Sequence, residues 1–197
     1  MSRSVRRHGP ERHREGTSLL ELMMVMLLIG IMAGIAAPLL RPEKFRLDGA
    51  VVVLGSTLNA QQRNSVLRQH NIVLVVDSAA SRLRVHYDLD NDGMIDSGEL
   101  TNIVELGEGV VFGRGSTPAR PLSSSTLSLA GAQGGMPALT FRRNGSASEE
   151  AIIYLTSGRA RVSGGSFLED SRAVEIERAT GRVRCYSYTS GSWIQTC

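Results

Sequence analysis

The stretch Arg14-Glu15-Gly16-Thr17-Ser18-Leu19-Leu20-Glu21 runs directly into a segment without a charge, from Leu22 to Leu40. As an α-helix, those 19 residues reach roughly 28 Å, close to the hydrocarbon thickness of a bilayer. Ahead of them stand Arg3, Arg6, Arg7, Arg12 and Arg14 against Glu11 and Glu15. Basic residues before an apolar span hold that end in the cytoplasm and send the rest of the chain outward. Once residues 1–16 are set aside, acidic and basic residues balance, so the whole-chain net charge of +3 belongs to the leader. A generally basic nucleic-acid binder is excluded on that ground. With 197 residues and 42% apolar content, one domain can bury a core.

The alternative for this segment is an ordinary secretory signal, with Gly34, Ala36 and Ala37 as the small residues a signal peptidase selects. Two features oppose it. The apolar run exceeds a usual signal core, and Glu21 sits inside the otherwise apolar stretch Thr17–Leu40. A carboxylate near a bilayer centre costs about 2.5–3.5 kcal/mol, less near the interface, and demands a partner.

A basic leader, a glycine, an acid five residues further on and an uninterrupted apolar helix resemble the prepilin signal of type IV pilins and type II secretion pseudopilins. The resemblance implies cleavage between Gly16 and Thr17 by a prepilin peptidase, with methylation of the new amine. It makes Glu21 the fifth mature residue and Pro38 the helix-kinking proline. Thr17 stands where that family usually has phenylalanine. Within a filament core, the Glu21 carboxylate would neutralise the α-amine of a neighbouring subunit or of its own chain, removing the penalty for burying either charge alone. The competing reading is an acid at a helix N-terminus, favoured by the helix dipole.

Beyond Pro38 and Pro42, the stretch Phe45–His70 carries Leu47, Val51, Leu54 and Leu58 at helical spacing, with Asn59, Gln61, Gln62, Arg63 and Asn64 on another face. Joined to the span it gives one kinked helix of about 54 residues, ~80 Å long. After His70 the period changes to two, predicting strands at Ile72–Val76, Leu83–Tyr87, Ile103–Leu106, Val110–Phe112, Leu139–Phe141, Ala151–Leu155, Val174–Ile176, Val183–Tyr188 and Trp193–Ile194. Gly113–Pro137, rich in Ser, Gly and Pro, reads as a long mobile loop. The expected fold is α+β and pilin-like: leader 1–16, transmembrane or filament-core helix 17–40, amphipathic helix 41–70 and β-rich head 71–197.

This outline resembles the GspH/FimT-type minor pilins and pseudopilins, the closing segment Val174-Glu175-Ile176 to Thr180-Gly181-Arg182-Val183-Arg184-Cys185 included. The resemblance implies a filament subunit supporting protein secretion or pilus assembly. Its partners would be the prepilin peptidase, other pilin or pseudopilin subunits, an inner-membrane assembly platform, and lipid before assembly. The chain would cross the inner membrane once, its head lying in the periplasm or in an extracellular filament. Some FimT-type pilins are thought to capture DNA through a Gly-Arg-x-Arg motif, which here would be Arg182 and Arg184. Against that stands a solvated hairpin face whose arginines pair with Glu175 and Glu177.

Asp88, Asp90, Asp92, Gly93, Met94, Asp96 and Glu99 fill the positions of a 12-residue calcium loop: three aspartates, a glycine turn, a carbonyl from Met94, a water-mediated aspartate and a closing glutamate. The flanks read as strands rather than EF-hand helices. An Asp/Asn/Gly hairpin turn is the alternative, but five carboxylates in so short a span repel one another without a cation. A bound Ca2+ would stabilise the head; no other cofactor is indicated.

Cys185 and Cys197 are the two cysteines. A turn at Ser190-Gly191 sets Cys185 opposite Thr196 and next to Cys197, where an oxidising compartment favours a bridge over two free thiols. No Gly-x-Ser-x-Gly, Walker, Gly-x-Gly-x-x-Gly or His-Glu-x-x-His pattern occurs, so no enzyme is expected. His8 and His13 leave with the leader, and His70 and His86 read as surface or helix-end residues.

Overall fold

The computed structural model describes residues 18–36, 42–121 and 131–197. Gly16, Thr17 and Pro38, and with them the cleavage point and the kink, lie outside the described residues. The chain divides into two compact units, residues 1–41 and 42–197.

In the first unit, α1 runs from Leu19 to Ala36 (18 residues), opening with a bond from the Leu22 amide to the Ser18 carbonyl at 3.1 Å. Glu21 lies in its first turn, where the helix dipole favours a negative charge. Among the described residues no helix is long and apolar enough to cross a membrane; the expected span, 17–40, includes residues 37–40, which lie outside the described residues.

The second unit begins with α2, Pro42–Arg68. Proline suits the first helical position, where its missing N–H forfeits no bond. Leu47, Ala50, Val51, Leu54 and Leu58 form the buried seam. Gln69 ends the helix at φ 58°, the left-handed capping conformation, so the helix stops short of the expected His70.

Two five-stranded antiparallel sheets follow. The first has the order β3-β2-β1-β6-β5 and the second β10-β9-β8-β7-β4. The strands are β1 Asn71–Asp77, β2 Arg82–Asp88, β3 Thr101–Glu105, β4 Val110–Phe112, β5 Gly131–Gln133, β6 Met136–Phe141, β7 Ala151–Ser157, β8 Ser171–Ile176, β9 Val183–Thr189 and β10 Ser192–Gln195. A short α3, Gly158–Val162, and a 3-10 turn, Leu168–Asp170, link β7 to β8. The α2 seam, Leu74, Leu83 and Phe141 of the first sheet, and Ile153, Leu155 and Ile176 of the second share one core.

Period-two alternation locates nine strands but not what covers their outer faces. Val73, Val75 and Ala138 on the first sheet are covered by Ile95 and Met136. Ile152, Tyr154, Ala173 and Tyr186 on the second pack with Trp193. β7 and β8 are consequently buried along their whole length.

The expected mobile loop at Gly113–Pro137 is corrected at both ends. β5 pairs with β6, Gln133 opposite Met136. Residues 113–121 are strapped onto the second sheet: the Arg120 amide donates to Tyr154 Oη at 2.8 Å, and Trp193 Nε1 donates to the Pro118 carbonyl at 3.1 Å. The Arg120 guanidinium also lies 3.6 Å from the centre of the Tyr186 ring. Residues 122–130 are outside the described residues.

Candidate functional site

α1 has nothing resembling the α2 seam. Every described side chain from Leu19 to Gly34 is exposed, among them Leu19 (78%), Met32 (71%) and Leu27 (64%). Glu21 shares that exposure at the start of the helix. A helix this apolar in water would lose roughly 25 cal/mol for every Å2 left uncovered. Lipid or other helices are the environments that suit it.

The acidic loop joins β2 to β3. Asp88 is fully buried at the end of β2. It accepts the Gly93 amide at 2.9 Å, the Asp92 amide at 3.2 Å and the Asn71 side-chain amide at 3.4 Å. Burial pushes its carboxyl above the usual range, although the Gly93 and Asn71 bonds act the other way. Asp92 accepts the Met94 amide at 2.6 Å, and Glu99 accepts the amides of Leu89 at 2.9 Å and Asp96 at 3.2 Å. Gly93 takes φ 82°, the sharp turn that only glycine adopts freely.

The carboxylates converge in two overlapping sets, Asp88 with Asp90 and Glu99, and Asp90 with Asp92 and Asp96, with donor atoms in each set within 4.8 Å of one another. An all-oxygen donor set of this kind suits a hard cation such as Ca2+. Asn71 escaped the sequence reading. Its backbone amide donates to Asn91 Oδ1 at 2.7 Å, and its Oδ1 accepts the Arg143 amide at 3.3 Å, so it ties the loop to the β6–β7 turn. His86 corrects the expectation of a surface histidine. It is buried, its Nδ1 lies 2.8 Å from Thr101 Oγ1, and burial holds its pKa below the ordinary value.

Cys185 and Cys197 are joined in a disulfide. Gly55 lets α2 approach it, since a Cβ there would sit 3.2 Å from Cys185 Sγ.

The arginines of Gly181-Arg182-Val183-Arg184 have different surroundings. Arg184 faces Glu175 across the β8–β9 ladder and pairs with it at 3.4 Å and with Glu177 at 3.8 Å. Arg182 precedes β9, is exposed and makes no ion pair among the described residues.

Three ion-pair groups could not be read from the sequence, because each joins distant segments or depends on register. Asp77 accepts Arg84 at 2.6 Å and Arg82 at 3.0 Å. The Arg84 bond is the leading cause that lowers its pKa to about 2. Arg172 donates to Asp48 at 2.7 Å, and Lys44 pairs with Glu169. Asp170 accepts Arg159 Nε and Ser157 Oγ, both at 2.7 Å. Burial alone would raise its pKa, but these bonds, with the charges of Arg159 and Lys44, hold it below the usual range.

No family model matches the chain. It is similar to the pilin-like protein PilA1 of Thermus thermophilus, 29% identical over 97 residues, which take in 49% of this chain and 62% of that relative. Two structures of the minor pseudopilin EpsH from the type 2 secretion system of Vibrio cholerae align with 72% of the chain. One covers 97% of its own length at 13% identity and TM-score 0.47, the other 96% at 14% and 0.44. Both TM-scores fall below 0.5, and nothing about function follows from them. The prepilin-type start of the sequence resembles that of type IV pilins and pseudopilins, and over 97 residues the chain is similar to a pilin-like protein.

Proposed function

We propose that the chain is a minor filament subunit of the type II secretion pseudopilus or type IV pilus kind. It enters the inner membrane with its N-terminus in the cytoplasm, is cut after Gly16, and assembles with other pilin or pseudopilin subunits on an inner-membrane platform. α1 carries this reading. Its described apolar side chains, from Leu19 to Ala33, are all exposed while its single charge, Glu21, stands four residues from the expected new terminus at Thr17. A folding domain gains nothing from such a surface. A polymer gains a dry helical core in which each carboxylate meets an amine. The work of the protein is mechanical: helix packing joins subunits, and the unit from Pro42 onward sets lateral contacts.

Mass spectrometry of the protein from membranes should find N-methyl-Thr17 at the mature N-terminus. An intact Met1, or a start near Pro38, overturns the reading.

A calcium ion in the β2–β3 loop belongs to this proposal as a stabiliser of the unit rather than a catalyst. Its support is the oxygen-only donor set and a buried Asp88 without a cationic partner among the described residues. Capture of DNA by an Arg182/Arg184 pair is not adopted, because Arg184 is committed to Glu175 and Glu177.

A further inference from the structure

The sheets end in four edge strands, β3 and β5 on the first and β10 and β4 on the second. β3 is the longest of them, five residues against three, four and three. Its bonding follows from register. The Tyr87 amide donates to the Leu100 carbonyl at 3.0 Å, and the Leu106 amide to the Ser81 carbonyl at 3.3 Å. Leu100, Asn102, Val104 and Leu106 therefore turn their backbone groups toward β2, because alternate residues of a strand bond to opposite sides. Thr101, Ile103 and Glu105 turn theirs away, and no backbone bond reaches those groups among the described residues.

Open edges are normally guarded by lysine, proline, a bulge or a covering segment. β3 carries neither lysine nor proline, and its one charge, Glu105, stands at its end. Thr101, Asn102, Ile103 and Glu105 are exposed, Ile103 at 53%, and Leu100 just before them at 62%. The surrounding charge has a single sign: Asp88 to Gly113 contains seven acidic residues and no Lys or Arg. Nearby cations are already spent. Arg84 and Arg82, opposite Ile103 and Glu105 on β2, both pair with Asp77, and Arg46 pairs with Glu108 at 3.4 Å.

We propose that β3 receives an extended cationic peptide segment of another protein as a sixth strand of the first sheet. The outward groups of Thr101, Ile103 and Glu105 supply the donors and acceptors that a strand matches. Ile103 offers an apolar neighbour to one side chain of the added strand. Glu99 before β3, and Glu105 and Glu108 at its other end, favour basic residues flanking that side chain. A second copy of β3 is not the occupant, because it would lay two such acidic stretches side by side. The inference depends neither on filament assembly nor on calcium.

The test uses the full chain in nonionic detergent with chelator present, and a fluorescein-labelled peptide, Lys-Thr-Val-Thr-Val-Lys. Anisotropy should show saturable binding. Hydrogen exchange should then slow at the Thr101, Ile103 and Glu105 amides and not at Asn102 and Val104, which β2 already protects. The same peptide with its four central amides N-methylated keeps its charge but presents no edge, and should bind at least about tenfold more weakly. Ile103→Pro removes one outward N–H at a position where an edge strand tolerates proline. It should weaken the unmodified peptide about tenfold, with circular dichroism confirming the fold. If that variant misfolds, Ile103→Lys, which guards the edge with a charge like the peptide's, should show the same loss. The proposal is overturned by a peptide that does not bind, by equal binding of the methylated peptide, or by folded Ile103 variants that bind unchanged. A parent chain that sediments as a dimer which Ile103→Pro abolishes overturns it too, since a second copy would then hold the edge.

Discussion

α1 and α2 are both helices with abundant aliphatic residues, yet they use them in opposite ways. α2 concentrates Leu47, Leu54 and Leu58 on one seam that the two sheets bury completely, while its remaining faces mix glutamines, asparagines and arginines with the exposed Phe45, Val52, Val53 and Leu67. α1 distributes leucine, isoleucine and methionine around its whole circumference and buries none of its described side chains. Total apolarity therefore does not predict what a helix is for; its angular distribution does. A one-sided helix completes a fold. An all-round one waits for a surrounding medium, here proposed to be lipid and then neighbouring helices.

The sharpest way to break this contrast is to truncate one leucine in each helix. Leu54→Ala should cost the unit about 3–4 kcal/mol through lost burial and a residual cavity. Leu27→Ala should leave unfolding within about 0.5 kcal/mol. Urea unfolding followed by Trp193 fluorescence reads both, and equal losses would abolish the distinction.

Next in size is the disulfide, which sits against Gly55 of α2. Replacing both Cys185 and Cys197 by serine should lower stability by about 3 kcal/mol. If the double variant melts like the parent, α2 and the strands hold without the bridge.

The ion pairs at the start of α2, where Arg159 bridges Asp170 at 2.7 Å and Glu43 at 3.2 Å, should be weaker still. Asp170→Ala leaves Arg159 without its buried partner and should cost about 2–3 kcal/mol. Asp77 and Asp170 both have folded pKa values below their ordinary ones, Asp77 at about 2. Such groups stabilise the fold above the unfolded carboxylate pKa of about 4, and that contribution drains away as pH falls toward about 2. Acid titration of Tm should show this loss, reduced in Asp170→Ala; a flat profile between about pH 4 and 2 contradicts it.

The smallest effect belongs to the acidic loop. Calcium at about tenfold over its Kd should add about 1.4 kcal/mol, seen as a higher Tm than with chelator and absent from Asp88→Ala. A parent protein whose Tm ignores calcium removes the ion from the proposal.

The strands were legible wherever β-branched or aromatic residues alternate, as in Ile72–Val76 and Val183–Tyr188. β5 was not: Gly131-Ala132-Gln133 has no apolar rhythm and becomes a strand only because β6 pairs with it. The strap at 113–121 was equally hidden, since its anchors are an amide on Tyr154, a guanidinium on Tyr186 and a carbonyl under Trp193. None of these leaves a period in the sequence. Of the candidate sites, the calcium-type spacing could be read in one glance, whereas the role of Asn71 as its tie to the β6–β7 turn could not.

By itself the sequence determined the unbroken apolar run with one acid at its head, the one-sided second helix and the acidic loop. Each is a pattern of neighbours along the chain, set by helical or strand periodicity and by local turn chemistry. Only the tertiary structure decided which charges are spent. Register across β8 and β9 commits Arg184 to Glu175, while Arg182, just before β9, stays exposed. Coulombic pairing depends on distances of a few ångströms in space, and a linear order of residues does not contain them.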